Sequence, residues 1–208
     1  ACTRNQSVMR GDSVGMARSI PVSPPAHMRS LQGFPSAGPF YIIPRMPAAP
    51  FSSLLVVCTG NICRSPIAEA LFRARLQGLG AFTVASAGTG ALVGHPADDK
   101  AIEVMDERNV DLRAHRARQF DLALARDFDL TLVMEEGQRR WIQQSFPTLR
   151  GRVRLLGQWL DDLEVPDPFG RELGEFRQAR DLIEEAVDAW MARIGGPTAR
   201  LTWMTREW

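Results

Sequence analysis

The chain has 208 residues, with 25 basic and 24 acidic side chains for a net charge of +1, and 45% of its residues are hydrophobic. That suffices for one domain of roughly 150 residues plus an appendage. Three cysteines (Cys2, Cys58, Cys63) exclude a disulfide framework and point to a reducing cytoplasm, and His27, His95 and His115 show no paired metal spacing.

The first 50 residues hold eight of the 14 prolines and five arginines against one aspartate, with no Lys or Glu, so this segment carries +4. The remainder carries 20 basic against 23 acidic residues, a charge of −3, which leaves no nucleic-acid footprint on a folded part. The segment's longest apolar stretch, Phe40 to Ile43, is too short for a signal-peptide core or a membrane span. Disorder is expected over residues 1 to 50. Arginine without Lys or Glu fits a mitochondrial-type address, but the scattered prolines oppose an amphipathic helix. Met46, just before the first strand, is an open alternative start, and no function is assigned to this segment.

Leu54-Leu55-Val56-Val57 running into Cys58 reads as a buried strand, and Ser65 to Leu76 as a helix. A short strand follows at Phe82 to Ala85, ending at Ser86. A helix is expected from Asp98 to Arg108 with Ile102 and Met105 on one face, and a shorter one from Phe120 to Phe128. Leu130 to Met134 reads as a buried strand, Glu136 to Ser145 as a helix stopping before Pro147, and Val153 to Leu156 as a fourth strand. The last helix runs from Glu172 to Arg193, with Phe176, Ala179, Ile183, Ala186 and Trp190 on one side and Gly195-Gly196 as its stop. Strands alternating with helices imply parallel pairing in a three-layer α/β/α sandwich. The domain is expected over residues 51 to 195, with 196 to 208 a tail of no clear pattern.

The stretch Cys58-Thr59-Gly60-Asn61-Ile62-Cys63-Arg64-Ser65-Pro66 lies between the first strand and the first helix. In such a turn successive backbone N–H groups point inward, and the helix N-terminus adds partial positive charge. Arg64 can add two parallel hydrogen bonds to a tetrahedral anion. The same field favours the thiolate of Cys58, the nucleophilic form. Alone, Cys58 would read as a small buried hydrophobe at a strand end. Arg64 could instead pair with an acidic neighbour, but a cation is disfavoured at a helix N-terminus unless an anion sits beside it, here thiolate or phosphate. Gly60 and Asn61 suit a tight turn, Asn tolerating left-handed backbone angles, and Ser65 suits an N-cap before Pro66. Cys63 is either a neutral filler or a thiol that captures oxidised Cys58 as a disulfide. Asp167 between two prolines fits plain turn chemistry or an acid in a loop beyond the fourth strand. Asp161-Asp162 and Glu135-Glu136 read as solvated charges, and His95 and His115 as loop or surface residues rather than acid–base groups.

The nonapeptide resembles the C-x5-R-S signature of the low-molecular-weight protein tyrosine phosphatases. Pro166-Asp167-Pro168-Phe169 matches that family's general-acid loop, and Ser86-Ala87-Gly88, Ala117-Arg118-Gln119 and Val133-Met134-Glu135 match further landmarks. The likeness spans residues 52 to 194 and is strongest to the bacterial branch associated with capsule and exopolysaccharide export, through Ser86 to Gly94. It implies a four-stranded parallel sheet and phosphotyrosine hydrolysis through a cysteinyl-phosphate. By the resemblance Cys58 is the nucleophile and Arg64 with the amides of 59 to 64 holds the phosphate, while Asp167 is general acid and then base. The Ser65 hydroxyl is directed at the sulfur, Ser86 supports the loop at Asn61, and Leu92 and Phe169 wall the slot. No metal or cofactor is required. The partner implied is a cytoplasmic phosphotyrosine protein, a tyrosine autokinase of polysaccharide synthesis, with no nucleic acid and no membrane insertion. Three rivals stay open to test. Arsenate reduction lacks the downstream cysteines it needs, since none follows Cys63. Protein-arginine phosphatases carry threonine where Ile62 stands. A silent phosphate-binding module would be expected to lose Cys58, Arg64 or Asp167.

Overall fold

Four apolar runs make one parallel sheet in the computed structural model, which describes residues 51–79 and 81–194. The strands are β1 (Ser53–Cys58), β2 (Thr83–Gly88), β3 (Leu130–Val133) and β4 (Val153–Leu155), in the spatial order β2-β1-β3-β4. Val56 is paired with Ser86 on one side and Leu132 on the other, so β1 is central. Its run Leu54 to Val57 is fully buried, as expected of a strand covered on both faces.

The pleat divides that run. Leu54, Val56 and Cys58 face a core shared with α1 (Arg64–Leu76), α2 (Asp99–Asp106) and α5 (Leu173–Ile194). Leu55 and Val57 face the opposite core, with Ala125 of α3 (Leu122–Arg126) and Ile142 of α4 (Glu136–Ser145). The result is the expected three-layer α/β/α sandwich. The sheet grows outward from β1 in both directions, which leaves a crevice at the carboxyl end of β1, the usual ligand position in such sheets.

Element limits follow local chemistry. Asp98 caps α2 by accepting from the Lys100 N–H at 2.9 Å, and Asp121 caps α3 by accepting from Leu124 N–H at 2.8 Å. Phe176, Ala179, Ile183, Ala186 and Trp190 lie on the buried face of α5 as the periodicity predicts. Two expectations need correction. The second strand extends to Gly88, because pairing with β1 continues through Cys58. Ser65 is not the N-cap of α1. That position is Cys63, with no side-chain cap, which frees the Ser65 hydroxyl to turn toward the crevice. The expectations for residues 1 to 50, the Gly195-Gly196 stop and the tail lie outside the described residues. Among the described residues, no helix is long and apolar enough to cross a membrane.

Candidate active site

Cys58 is the last residue of β1 and 2% exposed. Immediately after it the chain leaves the sheet and curls back over the sulfur. The Asn61 N–H points at Cys58 Sγ from 3.3 Å, and Ser65 Oγ lies 3.0 Å from it. The backbone reversal falls on Asn61, whose φ of +56° is left-handed. Gly60 is not the residue the turn requires, since a Cβ there would make only an ordinary contact at 3.6 Å with Ile62. Gly88 is a stricter requirement, because a Cβ at that position would overlap the Thr59 carbonyl.

Asn61 is fully buried, and its side chain organises the floor. Its Nδ2 donates to Ser65 Oγ and to Ser86 Oγ, both at 2.9 Å, while Oδ1 accepts from the Arg118 N–H at 2.8 Å. Ser86 in turn donates to Glu69 Oε2 at 2.5 Å, and Glu69 is paired with Arg73 at 2.6 Å. Donor directions then follow by elimination. The Asn61 amide donates both ways and the Ser86 proton goes to Glu69, which leaves the Ser65 proton the Cys58 sulfur at 3.0 Å and, at the longer distance of 3.5 Å, the Ala87 carbonyl. His115 Nε2 meets the Asn61 carbonyl at 2.7 Å, and since a carbonyl only accepts, that nitrogen carries the proton. Burial lowers the His115 pKa, with Arg118 and Arg116 adding to it, against the Asn61 bond and Glu69.

Arg64 opens α1 and is 1% exposed. One terminal nitrogen, Nη1, donates to Glu135 and to the Val165 carbonyl at 2.9 Å; the other, Nη2, lies 2.6 Å from Asp167 Oδ2. Its Nε is buried with no partner, an unmet donor beside the crevice floor. The expectation that only thiolate or phosphate would offset this cation is thus corrected: two carboxylates do. Glu135 is likewise not a solvated charge, because Met134–Glu135 follows β3, the strand next to β1. Sequence separation of 71 residues hides that pairing.

The remaining site residues fall around the same mouth. Thr59 Oγ1 accepts from Gln138 at 3.2 Å, and the Ile62 side chain is buried. The loop after β2 is stitched to the cysteine loop by Thr89 N–H to Cys58 O, Gly90 N–H to Thr59 O and Leu92 N–H to Gly60 O, at 3.0 to 3.1 Å. This fixes Leu92, 40% exposed, at the rim. Phe169 is 58% exposed beside Asp167. The Cys63 thiol is buried, and burial foremost, with Asp98, Cys58 and Asp167, pushes it far up, so it remains protonated as a filler would. Cys58 and Cys63 are both free. Glu69, His115, Arg118, Glu135 and Gln138 were not assigned to the site from sequence, and only the landmarks containing Arg118 and Glu135 carried a signal.

A buried thiol under the Asn61 N–H, a buried arginine and a carboxylate at its open side are the parts a phosphate-handling cysteine site requires. The profile described as low molecular weight phosphotyrosine protein phosphatase matches residues 53–199. The low molecular weight protein-tyrosine-phosphatase Etp of Escherichia coli is 42% identical over 144 residues, 69% of this chain and 95% of Etp. The tyrosine phosphatase Wzb of Escherichia coli K30, solved with sulphate, is 45% identical with a TM-score of 0.64, covering 67% of this chain and 96% of Wzb. Vibrio vulnificus Wzb, solved with benzylphosphonate, is 43% identical with the same TM-score, covering 67% and 97%. The chain belongs to the low molecular weight phosphotyrosine protein phosphatase family.

Proposed function

We propose that the chain hydrolyses phosphotyrosine in proteins by a two-step displacement at Cys58. The observation that carries this reading is the convergence on one crevice of the Cys58 sulfur, the Asn61 N–H, the Ser65 hydroxyl and an Arg64 fork with its Nε unpartnered and Asp167 on its Nη2. The thiolate attacks phosphorus in line with the aryl oxygen, forming S–P as P–O breaks. Asp167, protonated, gives its proton to the departing phenolate. As a carboxylate it then takes a proton from the water that attacks the cysteinyl-phosphate, restoring the thiolate and releasing phosphate. Backbone amides of residues 59 to 64 and the Arg64 guanidinium hold the equatorial oxygens, where charge collects in the transition state.

Phosphotyrosine suits the mouth because Leu92 and Phe169 offer exposed apolar surface to an aromatic ring. The Ser86 to Gly94 stretch supports a cytoplasmic tyrosine autokinase of polysaccharide synthesis or export as the partner. The only tyrosine in the chain is Tyr41, so no tyrosine follows the acid for regulation by phosphorylation.

An aryl phosphate assay tests the reading. Turnover abolished by vanadate and indifferent to chelator is expected, and binding without turnover would leave a silent module. With peptide substrates, phosphotyrosine should be preferred over phosphoarginine; the reverse preference would make this an arginine phosphatase.

A further inference from the structure

Lys100 is the only lysine in the chain; the other 24 basic residues are arginines. It sits in the first turn of α2, and its Nζ donates to the carbonyl of Arg171, the last residue of the acid loop. The same ammonium lies 5.9 Å from the ring centroid of Phe176, in the first turn of α5. The start of α2 is also tied to the cysteine loop, through Asp98 N–H to the Ile62 carbonyl at 2.9 Å. Two residues of one helix turn therefore connect the loop bearing Cys58 to the loop bearing Asp167.

Apart from the burial of Pro168, the acid loop has little else to hold it. Arg171 N–H to Pro168 O and Phe169 N–H to Asp167 Oδ1 are bonds within the loop. A cavity of about 220 Å³ lies against it, lined by Pro166, Asp167, Pro168, Arg171, Glu175 and Gln178 among others. Among the described residues, the polar ties from residues 166–171 to the rest of the fold are Asp167 to Arg64 and Lys100 to Arg171. The first cannot persist through the reaction, because Arg64 must grip phosphate while Asp167 is a neutral acid. Lys100 is then the remaining polar tie.

We propose that Lys100 is a positioning residue that holds the acid loop over the crevice while Asp167 delivers its proton. A compact ammonium meets a carbonyl as a point charge without the planar fork of arginine, which fits this single contact. The inference rests on Asp167 being the acid, so the test separates the two. In Lys100→Met, kcat/KM for phenyl phosphate, a poor leaving group, should fall roughly 5- to 10-fold, with p-nitrophenyl phosphate and vanadate inhibition within about twofold of wild type. Lys100→Arg, keeping a cationic donor, should recover most of the loss.

Asp167→Asn serves as the reference, with a larger shift in the same ratio. An altered ratio in Asp167→Asn but not in Lys100→Met overturns the role of Lys100 alone, as does equal slowing of both substrates in Lys100→Met. An unaltered ratio in Asp167→Asn overturns the acid assignment and this inference with it. Should Lys100→Met fail to fold, acetylation of the folded enzyme reaches one side-chain amine, with Lys100→Arg treated alike to control for the chain terminus. A ratio unchanged by acetylation equally overturns the proposal.

Discussion

The loop from Cys58 to Ser65 and the loop from Pro166 to Arg171 meet at one crevice but are built in opposite ways. In the first, Asn61 alone makes contacts with Ser65, Ser86, Arg118, His115 and the sulfur, all within the buried or half-buried interior. In the second, Asp167 and Phe169 stand exposed above a cavity, and two polar ties hold the segment. A cup for charge must be rigid, since reorganising donors during the reaction forfeits their advantage. A proton donor has two jobs, as acid toward the ester and as base toward water, and tolerates a looser mount.

The sharpest way to break this contrast is to remove the sulfur. Cys58→Ser should lose about 10⁴-fold or more in turnover, while phosphate still binds by calorimetry; turnover close to wild type would place the chemistry elsewhere. Next in size, Asp167→Asn should lower kcat/KM for phenyl phosphate by roughly 10²-fold or more and for p-nitrophenyl phosphate far less. Equal losses across a leaving-group series would deny Asp167 the acid's role.

Stability should separate the loops as well. Asn61→Ala removes a buried amide from a left-handed position, with an expected cost of about 2–4 kcal/mol in denaturant unfolding. Phe169→Ala should stay within about 0.5 kcal/mol and instead raise KM at unchanged kcat. Similar stability losses in both would erase the distinction. The smallest effect concerns His115. Its folded pKa lies below its unfolded value, so the neutral imidazole's contribution is complete above the ordinary value of 6.5 and declines as pH falls below it. Unfolding free energies measured from pH 8 to pH 5 should show the gap between wild type and His115→Gln shrinking through that window; a gap that widens on acidification contradicts this sign.

Much of the frame was readable along the chain, because continuous apolar runs such as Leu54 to Val57 and capping aspartates such as Asp98 act over a few residues. Glu136 to Ser145 begins and ends as read, bounded by the strand before it and Pro147 after it. The cysteine loop was readable for the same reason, as its parts are consecutive. What escaped was pairing at a distance. Nothing local marks that Glu135 will reach Arg64, that His115 will meet the Asn61 carbonyl 54 residues away, or that Lys100 will hold Arg171. The Ser65 N-cap misreading has a related origin, since the hydroxyl's preference for a free helix N–H yields to the sulfur and the Asn61 amide.

Chemical quench of the enzyme during turnover of an aryl phosphate, followed by peptide mass spectrometry, addresses the central claim most directly. A phosphoryl group on the sulfur of Cys58, absent from Ser65 and lost on hydrolysis to phosphate, is the predicted result. Product release with no phosphoryl ever found on Cys58, or with the group on a hydroxyl instead, would contradict the account.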